Sequence, residues 1–273
     1  MFSWLSEPFS HGFMQQAALA VILAACGCAA LGVQVVLRRM AFMGDAMAHA
    51  TLPGVVMGFV LGWNLLLGAL AAALASALGI AWASRHRRVS EDSAIGILYT
   101  SMFALGIIVL HQVGSFSDLA HILFGNPMGV TGAELWVIGI VTAIVMATLA
   151  LMRRELALTL IDPEFARSQG VSPFLMRAMV LVLCAGTVVI AMRVVGVILT
   201  AALIITPAAS ARLICTSILT TSLTAIGIAI IGALAGMVVA YHWDLSMGSS
   251  IVLAISVIFI ILRIATAASG LRS

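Results

Sequence analysis

The chain contains no lysine: all 13 of its basic residues are arginine. A Walker A loop holds nucleotide phosphates with a lysine, so this chain is not itself a P-loop ATPase. If ATP drives it, the hydrolysis belongs to another subunit. Charge of either sign is scarce, at 8% of 273 residues, where a soluble domain carries about 25%. No His-Glu-x-x-His pair occurs, which excludes the metalloprotease chemistry that needs one on a span. The amino end, Met1 to Gly12, lacks the basic n-region of a cleaved signal peptide. Cysteines number four, and all of them (Cys26, Cys28, Cys184, Cys215) sit inside apolar runs. Cys26 and Cys28 are two apart, which points them to opposite sides of a helix, so they read as small packing residues.

What is present is hydrophobic: 63% of residues, with a mean hydropathy of +1.21. The runs are uniformly apolar rather than alternating, which favours a membrane-embedded helical bundle over a barrel. About twenty apolar residues cross a bilayer core. On that rule the expected fold is an all-α polytopic membrane protein with about nine spans, eight being possible. They fall near 14–37, 42–62, 65–84, 94–112, 134–152, 174–192, 194–213, 217–240 and 247–265. Threading the spans places twelve of the thirteen arginines on one side, with Arg193 alone on the other. The positive-inside rule then sets the amino terminus outside and the carboxyl terminus in the cytosol.

Chemistry concentrates in Arg38 to Gly54, between the first apolar run and the second. Asp45 and His49 are four residues apart, so a helix puts them on one face, one turn from each other. An ionisable group at a helix centre in the bilayer costs at least ~2.5–3.5 kcal/mol and faces the bundle interior. Pro53 has no N–H for the His49 carbonyl, which leaves that oxygen near the same face. A carboxylate, an imidazole and a carbonyl suit a divalent cation such as Mn²⁺ or Zn²⁺. The competing reading pairs Asp45 with Arg38 or Arg39 at the cytosolic surface.

Other segments carry weaker signals. Ser90 or Ser93 caps the fourth span, whose first turn holds Glu91 and Asp92. The outside loop after it contains Asp118 to Pro127, a candidate half-helix ended by Gly125 and Pro127. His111 and His121 are placed to attract an incoming cation. In the cytosolic loop 161–173, Asp162 is an N-cap, Pro163 suits the first helical position, Glu164 complements the positive end and Gly170 stops the helix. Phe165 on that helix calls for a partner's groove. Pro207 frees the Leu203 carbonyl inside the seventh span. Tyr241, His242, Trp243 and Asp244 read as an interfacial anchor. Gly232 and Gly236, four apart, suggest a tight helix crossing, with a dimer seam as one use.

Three of these stretches, and in part a fourth, are similar to one known family. Gly44, Asp45, His49, Ala50, Pro53 and Gly54 fall one by one into the second transmembrane segment of the permease subunits of manganese, zinc and iron ABC importers. The resemblance implies that Asp45 and His49 contact the metal on the translocation path. Asp162, Pro163, Glu164, Phe165, Ala166 and Gly170 resemble the coupling helix that such permeases dock into their ATPase subunits. Val195 to Ala211 resembles the family's Val-Gly and Pro-Ala segment, which makes Pro207 a path or packing residue. Phe124, Gly125 and Asn126 match a stretch near the outer mouth that ends in Asp in the family. Asn126 replaces that acid here, so a gate formed with His121 would lack its charge.

The resemblance implies a single permease domain over residues 1–273, with a coupling helix at about 162–173, in a bundle like that of type II ABC importers. It implies a multi-pass protein of a bacterial cell membrane that is not an enzyme. Its cargo is a divalent metal ion, with no other cofactor. Its partners are ATPase subunits, an extracytoplasmic metal-binding protein, a second permease copy and membrane lipid, and not nucleic acid. Ser90 to Ile97 resembles the manganese-type members slightly more. The rival is an ion-coupled secondary transporter, which needs inverted repeats with matching broken spans. The Asp45 segment has no such counterpart after residue 140.

Overall fold

The computed structural model describes residues 7–85, 89–113 and 129–268, and every regular element among them is helical. A 3-10 turn, Pro8–Ser10, leads into α1 (Gly12–Leu37). Then come α2 (Met43–Ala50), α3 (Leu52–Val60), α4 (Leu65–Ala83) and α5 (Glu91–Val113). Then follow α6 (Gly132–Leu151), α7 (Arg153–Ile161) and α8 (Pro163–Ser168). Last come α9 (Pro173–Val195), α10 (Val197–Arg212), α11 (Ile218–His242) and α12 (Met247–Ala268). His121, Phe124, Gly125 and Asn126, the expected gate residues, lie outside the described residues.

Small polar side chains start six of these helices by accepting a first-turn N–H that would otherwise stay unpaired. Asn64 Oδ1 takes the Leu66 N–H at 2.9 Å and opens α4. Ser90, not Ser93, caps α5: its Oγ accepts the Ser93 N–H at 3.1 Å. Thr131 and Glu134 form a reciprocal capping box on α6, and Ser172 and Ser217 open α9 and α11.

Among the described residues, seven helices (α1, α4, α5, α6, α9, α11 and α12) are long and apolar enough to cross a membrane. The other two expected spans take a different form. The run expected as one helix over 42–62 is broken into α2 and α3 at Thr51. Pro53 explains the position of the break, because it has no N–H to bond the His49 carbonyl and its ring crowds that carbonyl. Thr51 Oγ1 completes the joint by donating to the Ala48 carbonyl at 2.6 Å. The expected loose carbonyl at His49 is not left alone, since the Thr51 N–H is directed at it. The seventh expected span starts late, because Gly196, at φ 83° and ψ 165°, ends α9 and delays α10 to Val197. A side chain at that φ would be strained.

Helix α1 is the axle. Of its apolar stretch 72% is buried, against 11% for α6 and 17% for α12 at the periphery. It packs on α6, α9, α10 and α11, and its small residues allow close approach. Gly54 and Gly68 bring α3 and α4 together so closely that a Cβ on either would collide with the other's carbonyl. Gly232 and Gly236 pack against Ile255 and Ile251 of α12. That crossing lies within one chain, so these glycines are taken up internally and the suggested dimer seam there is corrected. All four cysteines are free, and Cys28 and Cys184 are fully buried, as packing residues would be. Trp63, Trp136 and Trp243 are exposed at helix ends on the Arg193 side of the bundle, and Trp82 at the opposite end, as in an interfacial aromatic belt.

Candidate functional site

Helix α2 is short, and one side of it is committed to packing. Met43, Gly44, Ala46, Met47, Ala48 and Ala50 are buried. Gly44 faces Ile204 and Ala201 of α10, so closely that a Cβ added to it would stand 3.2 Å from Ile204 Cδ1. That anchoring leaves the remaining side of α2 to Asp45 and His49. Asp45 Oδ1 lies 3.5 Å from His49 Nε2, with side-chain exposures of 50% and 28%. The separation is too long for a strong hydrogen bond. Two ligand atoms at ~2.1 Å from one tetrahedral cation would stand about 3.4 Å apart. The pair therefore has nearly the spacing at which one ion would hold both groups.

Aromatic rings from α5 fix the imidazole. The His49 ring lies 5.3 Å from that of Phe103, edge-on, and 5.7 Å from that of Tyr99. On the open side a cavity of about 370 Å³ is lined by Asp45, His49, the segment Val195–Leu199, Ser246, Gly248 and Ser249. Its wall is the α9–α10 break, where Gly196 sits. Among the described residues no third His, Cys, Asp or Glu joins the pair into a metal-binding cluster. The competing pairing of Asp45 with Arg38 or Arg39 is not what the structure shows: the ion-pair partner of Asp45 is His49.

Arg38 is occupied elsewhere. Its Nη2 donates to Thr159 Oγ1 of α7 at 3.2 Å. Burial pushes the Arg38 pKa down, and the charge of Glu91 pushes it back up; an arginine stays protonated regardless. Beside it, Arg177 of α9 pairs with Glu91 of α5 at 2.7 Å and donates to the Ser84 carbonyl at 3.1 Å. Helices α1, α4, α5, α7 and α9 are thus tied at one end.

The same end carries the expected coupling helix. Asp162 Oδ1 accepts the N–H groups of Glu164 and Phe165 at 3.0 and 2.9 Å, and Pro163 occupies the first helical position. The helix α8 is one and a half turns long, and Gly170, at φ 79°, turns the chain out of it. Ala166 is buried against its surroundings, while Phe165 is 51% exposed. Glu164 pairs with Arg167 at 3.1 Å.

Pro207 is buried within α10 and is not among the residues lining the Asp45–His49 cavity. At the opposite end of the bundle Arg193 pairs with Glu134 at 3.1 Å, and both line a second cavity of about 410 Å³ with Asn64, Val55 and Met192. Sequence reasoning missed Tyr99, Phe103, Ser246 and Ser249 at the site. It also missed the Arg177–Glu91, Arg38–Thr159 and Arg193–Glu134 links. Of these groups only Glu134 carries a local signal, the Thr131-x-x-Glu134 capping pattern.

Residues 10–266 match the family described as the ABC 3 transport family. The chain is 36% identical over 261 residues to a probable iron transport system membrane protein of Haemophilus influenzae, covering 96% of each. It is 38% identical over 257 residues to the manganese transport system membrane protein MntC of Halalkalibacterium halodurans, covering 94% of this chain and 88% of that one. Among solved structures it is similar to PsaBC from Streptococcus pneumoniae in complex with Fab, with a TM-score of 0.81, 31% identity, and coverage of 96% of this chain and 95% of that one.

Proposed function

The chain belongs to the ABC 3 transport family, and from that membership we propose how it moves its cargo. It is the membrane-spanning permease of an ABC importer and no enzyme, and ATP is hydrolysed by a partner subunit. The cargo is a divalent transition-metal ion, Mn²⁺ first and Fe²⁺ second. The relatives named for manganese and iron support this, as does a carboxylate beside an imidazole, a donor set that suits both ions.

Asp45 and His49 are the transient ligands. The observation that carries this reading is their 3.5 Å spacing on the wall of a cavity, with no arginine among the described residues paired to the carboxylate. Two protein ligands bind weakly enough to release, and release is what conduction requires. The cavity is open on one side, and a second permease copy closes it. An extracytoplasmic metal-binding protein delivers the ion at the Glu134–Arg193 end, which faces outward, with the amino terminus on that side and the carboxyl terminus in the cytosol.

At the cytosolic end the ATPase grips α8, with Phe165 in a groove of that partner. Asp162 and Pro163 set the start of α8, Glu164 and Ala166 hold its faces, and Gly170 its exit. The Arg38–Thr159 and Arg177–Glu91 links carry its movement to α2 and α9. Pro207 and the loop residues His121, Phe124, Gly125 and Asn126 belong to the path or its gate.

Elemental analysis of cells expressing wild type or Asp45→Asn with His49→Ala tests the ligands. We expect accumulation of Mn and Fe to fall to background while the permease still copurifies with its ATPase. Unchanged accumulation of every divalent metal would overturn the ligand assignment.

A further inference from the structure

At the arginine-rich end, away from the metal site, a crevice of about 350 Å³ opens between α1, α6, α7 and α11. Its walls are hydrocarbon, with Leu149, Leu219 and Leu223 among them, and its rim carries Arg153 and Arg154. Both arginines are exposed, and neither forms an ion pair among the described residues. Gln34 of α1 also lines the crevice. It is only 6% exposed, and its Oε1 has no hydrogen-bond partner among the described residues. A buried carbonyl oxygen left unpaired costs about 1–3 kcal/mol, which calls for a donor that the described residues do not supply.

The geometry points to an anionic phospholipid bound in this crevice, with a hydroxylated headgroup such as glycerol. Two cations at the end of a span meet a phosphodiester at the headgroup level, and basic pockets between spans take acidic lipids in this way. The aliphatic walls receive acyl chain, which a soluble phosphate lacks. A glycerol hydroxyl donates to Gln34 Oε1, which the oxygens of an ionised phosphodiester cannot do. The lipid would sit against α7, the helix that leads into α8, and brace it against α1 and α11. This site is independent of the metal-ligand reading and can fail or stand without it.

Native mass spectrometry of the purified full chain, titrated with palmitoyl-oleoyl phosphatidylglycerol or the matching phosphatidylcholine, tests the site. The expected result is one tightly retained phosphatidylglycerol per chain, preferred over phosphatidylcholine by roughly thirtyfold for two arginines. Arg153→Gln with Arg154→Gln should abolish the preference, while Arg212→Gln, an exposed arginine at the same end, should not. Ala150→Trp fills the crevice with its charges intact and should remove the bound lipid. Gln34→Leu should weaken phosphatidylglycerol several-fold and leave phosphatidylmethanol, which has the charge but no hydroxyl, unchanged.

Equal binding of the two lipids, or a preference that survives the double arginine change, would overturn the proposal. So would displacement of the lipid by inorganic phosphate. A chain dimer lost with Ala150→Trp, with no retained lipid in wild type, would make the crevice a protein interface instead.

Discussion

Two polar regions flank α2, and they are built in opposite ways. At the arginine-rich end, two sets of contacts of 2.7 to 3.2 Å, Arg38 to Thr159 and Arg177 to Glu91 and Ser84, involve five helices. One turn and more along α2, Asp45 and His49 touch at 3.5 Å, and half of the Asp45 side chain is open to a cavity. Close contacts between partly buried charges transmit displacement, because a charge that loses its partner there is costly. A longer, half-exposed pair can accept an ion and give it up. The fold thus keeps its firm polar links at the arginine-rich end and leaves slack at the Asp45–His49 cavity.

Making the slack region resemble the firm one should have the largest effect. His49→Arg would place a permanent cation beside Asp45, and a charge-assisted bond of ~1.5–3 kcal/mol would compete with the ion. Radiotracer uptake of ⁵⁴Mn²⁺ should fall roughly ten- to hundredfold, with ATPase copurification unchanged. Uptake at the wild-type rate would remove the contrast. Loosening the firm region should come next. Arg177→Ala leaves Glu91 part-buried without its partner and should lower stability by about 1–3 kcal/mol, read as a drop in the thermal-unfolding midpoint. Adding Glu91→Ala should restore part of that loss, and an additive double change would show that the pair is not coupled.

A smaller effect is expected at α8, the proposed coupling helix. Asp162→Ala removes the N-cap of α8, which is worth about 1 kcal/mol, and should reduce ATPase copurification while metal binding to the isolated permease persists. The smallest is Arg167→Ala. Its pair with Glu164 is more than half exposed, so stability should change by less than ~0.5 kcal/mol. A large change there would mean that α8 is held by its surface charges rather than by its cap and the burial of Ala166.

The helices were legible because lipid makes the rule simple. An apolar run of bilayer length must satisfy its own backbone, and the helix does so locally. The caps at Asp162 and the stop at Gly170 were legible for the same reason, since each acts within a few residues. The i, i+4 placement of Asp45 and His49 also followed from helical spacing alone. The break at Thr51 was half legible: Pro53 announced a free carbonyl, but the threonine hydroxyl and the Thr51 N–H turned the helix instead. Gly232 and Gly236 signalled a close crossing, but a small-residue pattern does not say whose helix fills it, and Ile251 and Ile255 of the same chain do.

Local order, then, is what the sequence by itself determined: which stretches are helical, where they begin, which end gathers the arginines, and that a carboxylate and an imidazole share a face. Only the tertiary structure decided what those two groups look at. The rings of Tyr99 and Phe103, the hydroxyls of Ser246 and Ser249 and the bend at Gly196 reach the site from helices far apart in the chain. No spacing rule brings them there. They arrive because α2 packs its small residues on α10 and lies against α5, an arrangement set by the fit of helix surfaces and not by any one segment.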